Sequence, residues 1–427
     1  MEDRWGGWCK GISFLIALAA LGNVQPAAAR TQLHRRHHIA HHRRHYPSVP
    51  LYHAELLIDA DGGNVLYAQN ASIEWPPASM AKLMLMAVAE DEIQAGHFSY
   101  EDPVRISARA AATGGSRLGL REGQVYPLGE LMKAALIRSA NDAAVAVAEK
   151  IAGSVEACVQ KMNQKARALR MDNTYYGTVE GLPPVPGHDV DHTTAIDLSI
   201  LARDLVNNTH LLRWTSMETA PFDDGRVILR NTNHLVGHLD GCDGLKTGFT
   251  MRAGFNLTAT AKRGDMRLIS VVLGAPSNPE RFIQSARLLN WGFDNFAKVH
   301  LLNRGQPLPV HVQVEAGPSI QPVAEEDLAL VLPKAQLSSV KLEYSVPATV
   351  PGPLANGAAL GQVIVLDGGG VVSRVEAVSP PSANPTMLVS DAAAAAKARS
   401  ENGGGGSSES SPALTTQVVP GVAQENR

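Results

Sequence analysis

Pro77-Ala78-Ser79-Met80-Ala81-Lys82-Leu83-Met84 is the stretch on which the fold turns. Pro76 and Pro77 end an extended approach, and the residues from Ala78 to Ile93 then carry a helical pattern. Met80, Leu83, Leu85, Met86 and Val88 supply a broad apolar surface, and Gly96 supplies a stop. Ser79 is thereby placed in the first turn, where unpaired N–H groups and the positive end of the helix dipole favour an alkoxide. Lys82 follows on the same face. An ammonium is no base at neutral pH unless its pKa falls, and partial burial beside a second cation would lower it, with Lys246 as the expected neighbour. Ser79 and Lys82 would then form an activated nucleophile and its general base. Taken alone, S-x-x-K reads more readily as an N-cap serine followed by a surface lysine.

Two further motifs weigh against that bland reading. Ser139-Ala140-Asn141 is a polar break between the apolar runs Leu128 to Ile137 and Ala143 to Ile151, a junction between two helices. The Ser139 hydroxyl suits the relay of a proton from Lys82 to a leaving amine, and the Asn141 amide suits a substrate peptide bond and the lysine. Either residue also reads as an ordinary helix cap. Lys246-Thr247-Gly248 has a strand setting. Phe255 to Ala261 and Met266 to Leu273 follow it as a hairpin closed by Arg263-Gly264-Asp265. Gly248 would let a substrate backbone approach the strand edge. Lys246 and Thr247 would hold a carboxylate, and the N–H of Phe249 would join that of Ser79 in an oxyanion hole.

In this order the three motifs resemble those of penicillin-recognising serine enzymes, and the chain looks like a serine-type D-alanyl-D-alanine carboxypeptidase of peptidase family S11, a low-molecular-mass penicillin-binding protein. Asn231-Thr232-Asn233-His234-Leu235, Ala253-Gly254-Phe255-Asn256-Leu257 and Leu288-Leu289-Asn290-Trp291-Gly292-Phe293 extend the likeness over roughly Leu51 to Phe296, and more loosely to about Pro380. The resemblance implies an α+β fold, an antiparallel sheet flanked by helices, followed by a small all-β domain with no chemistry of its own. It implies an acyl-enzyme on Ser79 formed from peptidoglycan stem peptides ending in D-Ala-D-Ala, with β-lactams as covalent inhibitors and no metal or organic cofactor. By resemblance Arg281 reaches the substrate carboxylate. Departures are Ala140, where the family usually has Gly or Asp, and the proline-rich Gly181 to His188 ahead of His192, Thr194 and Asp197. A β-lactamase shares the motifs but typically needs a Glu-x-x-x-Asn loop, and Glu180 here is followed four places on by Pro184. An idle wall-binding protein would not need all five of Ser79, Lys82, Ser139, Asn141 and Lys246, whereas endopeptidase action on cross-links stays open.

Composition agrees with an exported enzyme. A chain of 427 residues with 44% apolar content can build two cores, and a net charge of −3 excludes nucleic acid as a partner of the whole protein. Arg4 and Lys10 flank the short apolar run Ile12 to Leu21, and Ala27-Ala28-Ala29 offers a cleavage site, so residues 1–29 read as a signal peptide. Residues 30–50 are a leader rich in histidine and arginine, read as disordered and solvated or as a binder of metal or anionic polymer. The catalytic domain is expected over 51–298, opening on strands Ala54 to Ala60 and Val65 to Gln69 turned by Asp61-Gly62-Gly63. The β-domain is expected over 299–380, with strands at Pro307 to Val314, Ala329 to Leu332, Leu337 to Tyr344 and Gln362 to Leu366. A low-complexity, disordered tail over 381–427 has no amphipathic helix, so no stable membrane anchor is expected. Cys158 and Cys242 are expected as separate thiols.

Overall fold

Ala54–Asp59 is buried at every position, its ends included, although Glu55 and Asp59 are acidic, and a strand covered on both faces accounts for this. The computed structural model of the chain describes residues 52–183 and 190–381, and the backbone of 414–420. The expected signal peptide, the leader, the Pro184 to His188 part of the proline-rich loop and most of the tail lie outside the described residues. Ala54–Asp59 pairs on one side with Val65–Gln69 and on the other with Met266–Ala275, in register from Ala54 opposite Leu273 to Asp59 opposite Leu268. Gly254–Arg263 and then Cys242–Thr250 complete a five-stranded antiparallel sheet, which leaves the Lys246 strand at an edge.

Side chains alternate across this sheet with the period of two that a strand imposes. Leu57, Leu257, Leu268 and Val272 share one core with Phe282, Leu288, Leu289 and Phe293 of the helix Asn278–Asn295. Leu56, Ile58, Ile269 and Val271 face the other way, into the larger core built around the helix Ala81–Gln94. That helix is buried at every position from Ala81 to Glu90. It packs against four helices, Leu128–Ile137, Asn141–Ala152, Val155–Ala168 and Ala195–Asn208, which explains why its sequence is apolar all round rather than on one stripe. The architecture is the expected α+β arrangement. Cys158 and Cys242 are free and buried. Among the described residues no helix is long and apolar enough to cross a membrane.

From Phe296 the chain becomes all-β around a second core that includes Leu308, Val312, Val346, Val363 and Val365. Here the structure departs from the sequence reading at three places. Pro307 to Val314 shortens to the strand Val312–Val314, because Pro307 and Pro309 have no N–H to place in a ladder. Leu337 lies in the helical turn Lys334–Ser339, and the strand begins only at Lys341. Leu414–Pro420, inside the segment expected to be disordered, pairs antiparallel with Lys341–Pro347 and closes one edge of a five-stranded sheet. Its Thr415, Thr416, Val418 and Val419 are β-branched residues that suit a strand, a signal masked by the surrounding glycine and serine.

Leu57 is fully buried between the sheet and the helix Asn278–Asn295, so Leu57→Ala should cost about 2–5 kcal/mol. Urea denaturation should show a lower midpoint at unchanged slope.

Candidate active site

The helix Ala81–Gln94 begins through a single tight turn, Ala78–Met80, that carries Ser79. Ala78 sits at φ 51°, a conformation that costs a non-glycine residue energy and persists only where its surroundings enforce it. Four contacts do so. Asn256, buried on the neighbouring strand, donates through Nδ2 to Pro76 O at 2.9 Å and accepts from Gly274 N at 2.8 Å. Trp75 Nε1 donates to Ala253 O at 2.8 Å. A Cβ on Gly248 would lie 2.6 Å from Pro77 O, so the Lys246 strand presses directly on the Ser79 turn. The space at Gly248 is filled by that turn, so packing alone already requires glycine there. On the other side Gly181, at φ 80°, lies so close that a Cβ would fall 1.9 Å from Ala78 O and 2.9 Å from Ser79 N.

Lys82 is fully buried, and its Nζ donates to Ser79 Oγ and to Glu180 O, each at 2.9 Å. Burial pushes its pKa down to about 7, against the opposing pull of the carboxylates of Glu180, Asp142 and Asp191. Loss of water, rather than the Lys246 charge expected from the sequence, is the leading cause. The mutual repulsion shows on Lys246 instead. Lys246 is also fully buried, and burial, then Lys82, then Arg281 hold its pKa well below the usual lysine range. Its Nζ donates to Thr247 O at 2.9 Å, and Thr247 Oγ1 donates to Thr232 Oγ1 at 2.8 Å.

Ser139 and Asn141 enter from the junction between Leu128–Ile137 and Asn141–Ala152. Ser139 is buried at φ 63°. Ala140 is the N-cap of the following helix and makes no side-chain capping bond, so neither Ser139 nor Asn141 is spent as a cap. Asn141 Nδ2 donates to Gly114 O at 2.8 Å, while its buried Oδ1 has no partner. A Cβ on Gly115 would meet both Asn141 Nδ2, at 2.7 Å, and Leu182 Cδ2, at 3.2 Å. Asn141 and the Gly181-Leu182 segment thus flank one loop beside the Ser79 turn.

Arg281 is placed behind the Lys246 strand. Its Nη1 donates to Gly248 O at 3.0 Å and Asn256 O at 3.2 Å, and its Nη2 to Asn278 Oδ1 at 2.5 Å. Protein acceptors hold both terminal nitrogens of the guanidinium, and its buried Nε has no partner. Phe249 projects its ring outward, 46% exposed and stacked on Phe255 at 4.3 Å between centroids.

Five residues outside the sequence-derived set belong to this arrangement. Glu180 offers its backbone oxygen to Lys82, and Gly181 fits against Ser79. Asp191 ties down the loop that carries both, accepting from Gly177 N at 2.7 Å and Thr178 Oγ1 at 2.7 Å. Burial pushes the Asp191 carboxyl up to about 6 against those hydrogen bonds. Thr232 meets Thr247, and Asn256 holds the Ser79 turn. Gly181 carried a readable signal, a glycine opening a proline-rich loop. The role of a backbone oxygen at 180 had none.

The family model for D-alanyl-D-alanine carboxypeptidase, Peptidase S11, matches residues 46–277, and that for the C-terminal domain of penicillin-binding protein 5 matches residues 296–382. D-alanyl-D-alanine carboxypeptidase DacF of Bacillus subtilis is 34% identical over 325 residues, covering 75% of this chain and 82% of that protein. DacA of Escherichia coli is 34% identical over 310 residues, 70% of this chain and 75% of its own length. Penicillin-binding protein 5 of Haemophilus influenzae superposes with a TM-score of 0.69 at 29% identity, over 77% of this chain and 96% of that one. Penicillin-binding protein D2 of Listeria monocytogenes, solved in an ampicillin-bound form, superposes with a TM-score of 0.53 at 31% identity, over 57% of this chain and 97% of that one.

Gly181→Ala is the sharpest test of the geometry. The added methyl collides with backbone that cannot give way, at a φ that disfavours alanine, so the Ser79 turn must move. Acylation by a fluorescent penicillin should fall at least about a hundredfold, the scale of a misplacement of about 1 Å, while circular dichroism keeps its native form. Near-native labelling would show that the loop does not set the position of Ser79.

Proposed function

The chain belongs to the D-alanyl-D-alanine carboxypeptidase family, a serine peptidase family, and from that premise we propose that Ser79 is its nucleophile and Lys82 its general base. The observation that carries the proposal is the 2.9 Å contact between Lys82 Nζ and Ser79 Oγ in a site where burial brings the lysine pKa to about 7. A lysine so poised is neutral in a large share of molecules near neutral pH and can accept the serine proton.

The substrate is a peptidoglycan stem peptide ending in D-Ala-D-Ala. Ser79 Oγ attacks the carbonyl carbon of the penultimate D-Ala, and its proton passes to Lys82 Nζ. The N–H groups of Ser79 and Phe249 receive the developing oxyanion. Collapse of the tetrahedral intermediate breaks the amide bond. Ser139 relays the proton from Lys82 to the departing D-Ala nitrogen, and Asn141 aligns the peptide through its free Oδ1. Water then attacks the ester, Lys82 takes a proton again, and the trimmed peptide leaves with Ser79 restored. Lys246 and Thr247 hold the terminal carboxylate. Gly248 lets the strand close on the Ser79 turn, and Arg281, donating to Gly248 O at 3.0 Å, adds positive charge on the carboxylate side of the site.

A β-lactam presents a strained amide and a carboxylate in the same places, so Ser79 opens the ring and keeps it as an ester. The chain has no Glu-x-x-x-Asn loop to activate the deacylating water, since Glu180 is followed four places on by Pro184. The ester therefore outlasts the peptide acyl-enzyme. Export by the N-terminal segment, with cleavage near Ala29, would deliver the enzyme to the cell wall, in a periplasm or envelope space.

Mass spectrometry of the penicillin adduct should map it to Ser79, and Ser79→Ala should abolish labelling; an adduct elsewhere overturns the assignment. Lys82→Ala should keep the fold and cut acylation by roughly three orders of magnitude or more. The base must be neutral, so wild-type acylation should rise with pH through an apparent pKa near 7 and be lost as pH falls below it. A rise centred near 10.4, the ordinary lysine value, would remove burial as the activating cause. Product analysis with a pentapeptide and with a cross-linked dimer should show release of D-Ala from the first.

A further inference from the structure

Far along the chain from the Ser79 motif, the outer face of Asn278–Asn295 meets the edge strand Val65–Gln69 across a cavity of about 530 Å³. It shares no lining residue with the Ser79 turn. Gln284, Arg287, Leu288 and Trp291 recur at the three- and four-residue spacing that puts them on one stripe of the helix, and Tyr67 faces them from the strand. Trp291 is 41% exposed, yet its ring is held edge-on by Tyr67 at 6.1 Å and by Phe296 at 5.4 Å. A large aromatic left open but fixed in orientation is a surface prepared for a partner.

The polar groups around it are equally fixed. Glu55 is buried beneath the groove and accepts from Gln284 Nε2 at 2.9 Å, and Gln284 Oε1 in turn accepts from Arg287 Nη1 at 3.4 Å. Asn290 and Asp294 complete the rim. Arg287 and Asp294 offset each other, so the groove has little net charge. That balance disfavours a polyanion, which needs a cluster of cations, and the polar rim disfavours a purely apolar partner. An open indole with amide, guanidinium and carboxylate groups beside it matches a pyranose, whose C–H face lies on an aromatic ring and whose hydroxyl and acetamido groups need donors and acceptors around the edge.

We propose that this groove is a saccharide-binding site that holds the glycan strand of peptidoglycan, a neutral chain of N-acetylated pyranose units, while the Ser79 site works on a stem peptide. The saccharide chemistry follows from the groove alone. The choice of the peptidoglycan glycan rests on the stem-peptide reading above. Two anchors would raise the local concentration of peptide ends near Ser79 and favour polymer over free peptide.

The test is calorimetric titration of the full chain, first acylated with a β-lactam to close the Ser79 site, with a soluble tetramer of β-1,4-linked N-acetylglucosamine. Saturable binding is expected. Trp291→Ala should weaken it about tenfold or more, the effect of losing one stacked ring together with its apolar contact area. Trp291→Phe should retain most of the affinity, which guards against a folding artefact, and the rate of penicillin acylation should be the same in all three proteins. No binding by the wild type, equal binding by Trp291→Ala, or tighter binding of inorganic polyphosphate than of the saccharide would each overturn the proposal. Failure of the stem-peptide reading would show separately, as lost penicillin labelling of the wild type with saccharide binding intact.

Discussion

The removal of Lys82 from water is the constraint on which the catalytic domain depends. A buried ammonium is costly unless it is paired or neutral, and here the nearest hydrogen-bond partners of Nζ are a hydroxyl and a backbone carbonyl. The surrounding fold keeps water out. The helix carrying Lys82 is covered on all sides by four other helices and the sheet, and the Gly177 to Gly181 loop closes the remaining opening. That loop stays in place through Asp191, with Thr178 Oγ1 donating to the carboxylate and accepting from Gly181 N at 2.9 Å. The same burial that makes the core cohesive thus lowers the basicity of this lysine to the point where its neutral, proton-accepting form is present near neutral pH.

Two departures from relaxed backbone lie beside this lysine. Ala78 and Ser139 both occupy positive φ, each at a cost of about 1–3 kcal/mol. The first is held by Asn256, Gly248 and Gly181, as described above. The second is held by the helix that follows it. Asn141 N donates to Ser116 O at 2.7 Å, and the buried Asp142 accepts from Leu118, Gly119 and Leu120 N–H groups at 3.0, 2.8 and 3.1 Å. Strain at the proposed nucleophile and relay is therefore offset by polar contacts at one remove, and those contacts come from segments far apart in the chain.

This division explains what the sequence made legible. Helices and the long strands follow from local periodicity and were readable, as were the three motifs, because the roles proposed for Ser79, Lys82, Ser139, Asn141 and Lys246 rest on side-chain chemistry that residue type announces. The residues that hold them act through geometry. Glu180 contributes a backbone oxygen, which any residue possesses. Gly181 and Gly248 contribute the absence of a side chain against a neighbour that only the folded chain brings near. Asn256 lies 177 positions from Ser79 and was visible only as part of a family pattern. Arg281 was named for its charge, whereas its hydrogen bonds to two main-chain oxygens and Asn278 depend on the folded chain. In the β-domain the short strands have weak patterns, and the composition around Leu414–Pro420 hid a segment whose own residues favour a strand.

The two buried lysines suggest how substrate itself sets the protons. Lys82 and Lys246 repel when both are charged, and Arg281 adds to the pressure on Lys246. Without substrate the proton on either one is poorly held. A carboxylate arriving at Lys246 and Thr247 supplies the missing counter-charge, which favours the ammonium at Lys246. An ammonium there in turn disfavours one at Lys82, so the base becomes neutral as the substrate docks. On the roles proposed above, recognition of a C-terminal carboxylate and activation of Ser79 would be one electrostatic event, and a chain end without that carboxylate would meet a less active nucleophile as well as a weaker grip.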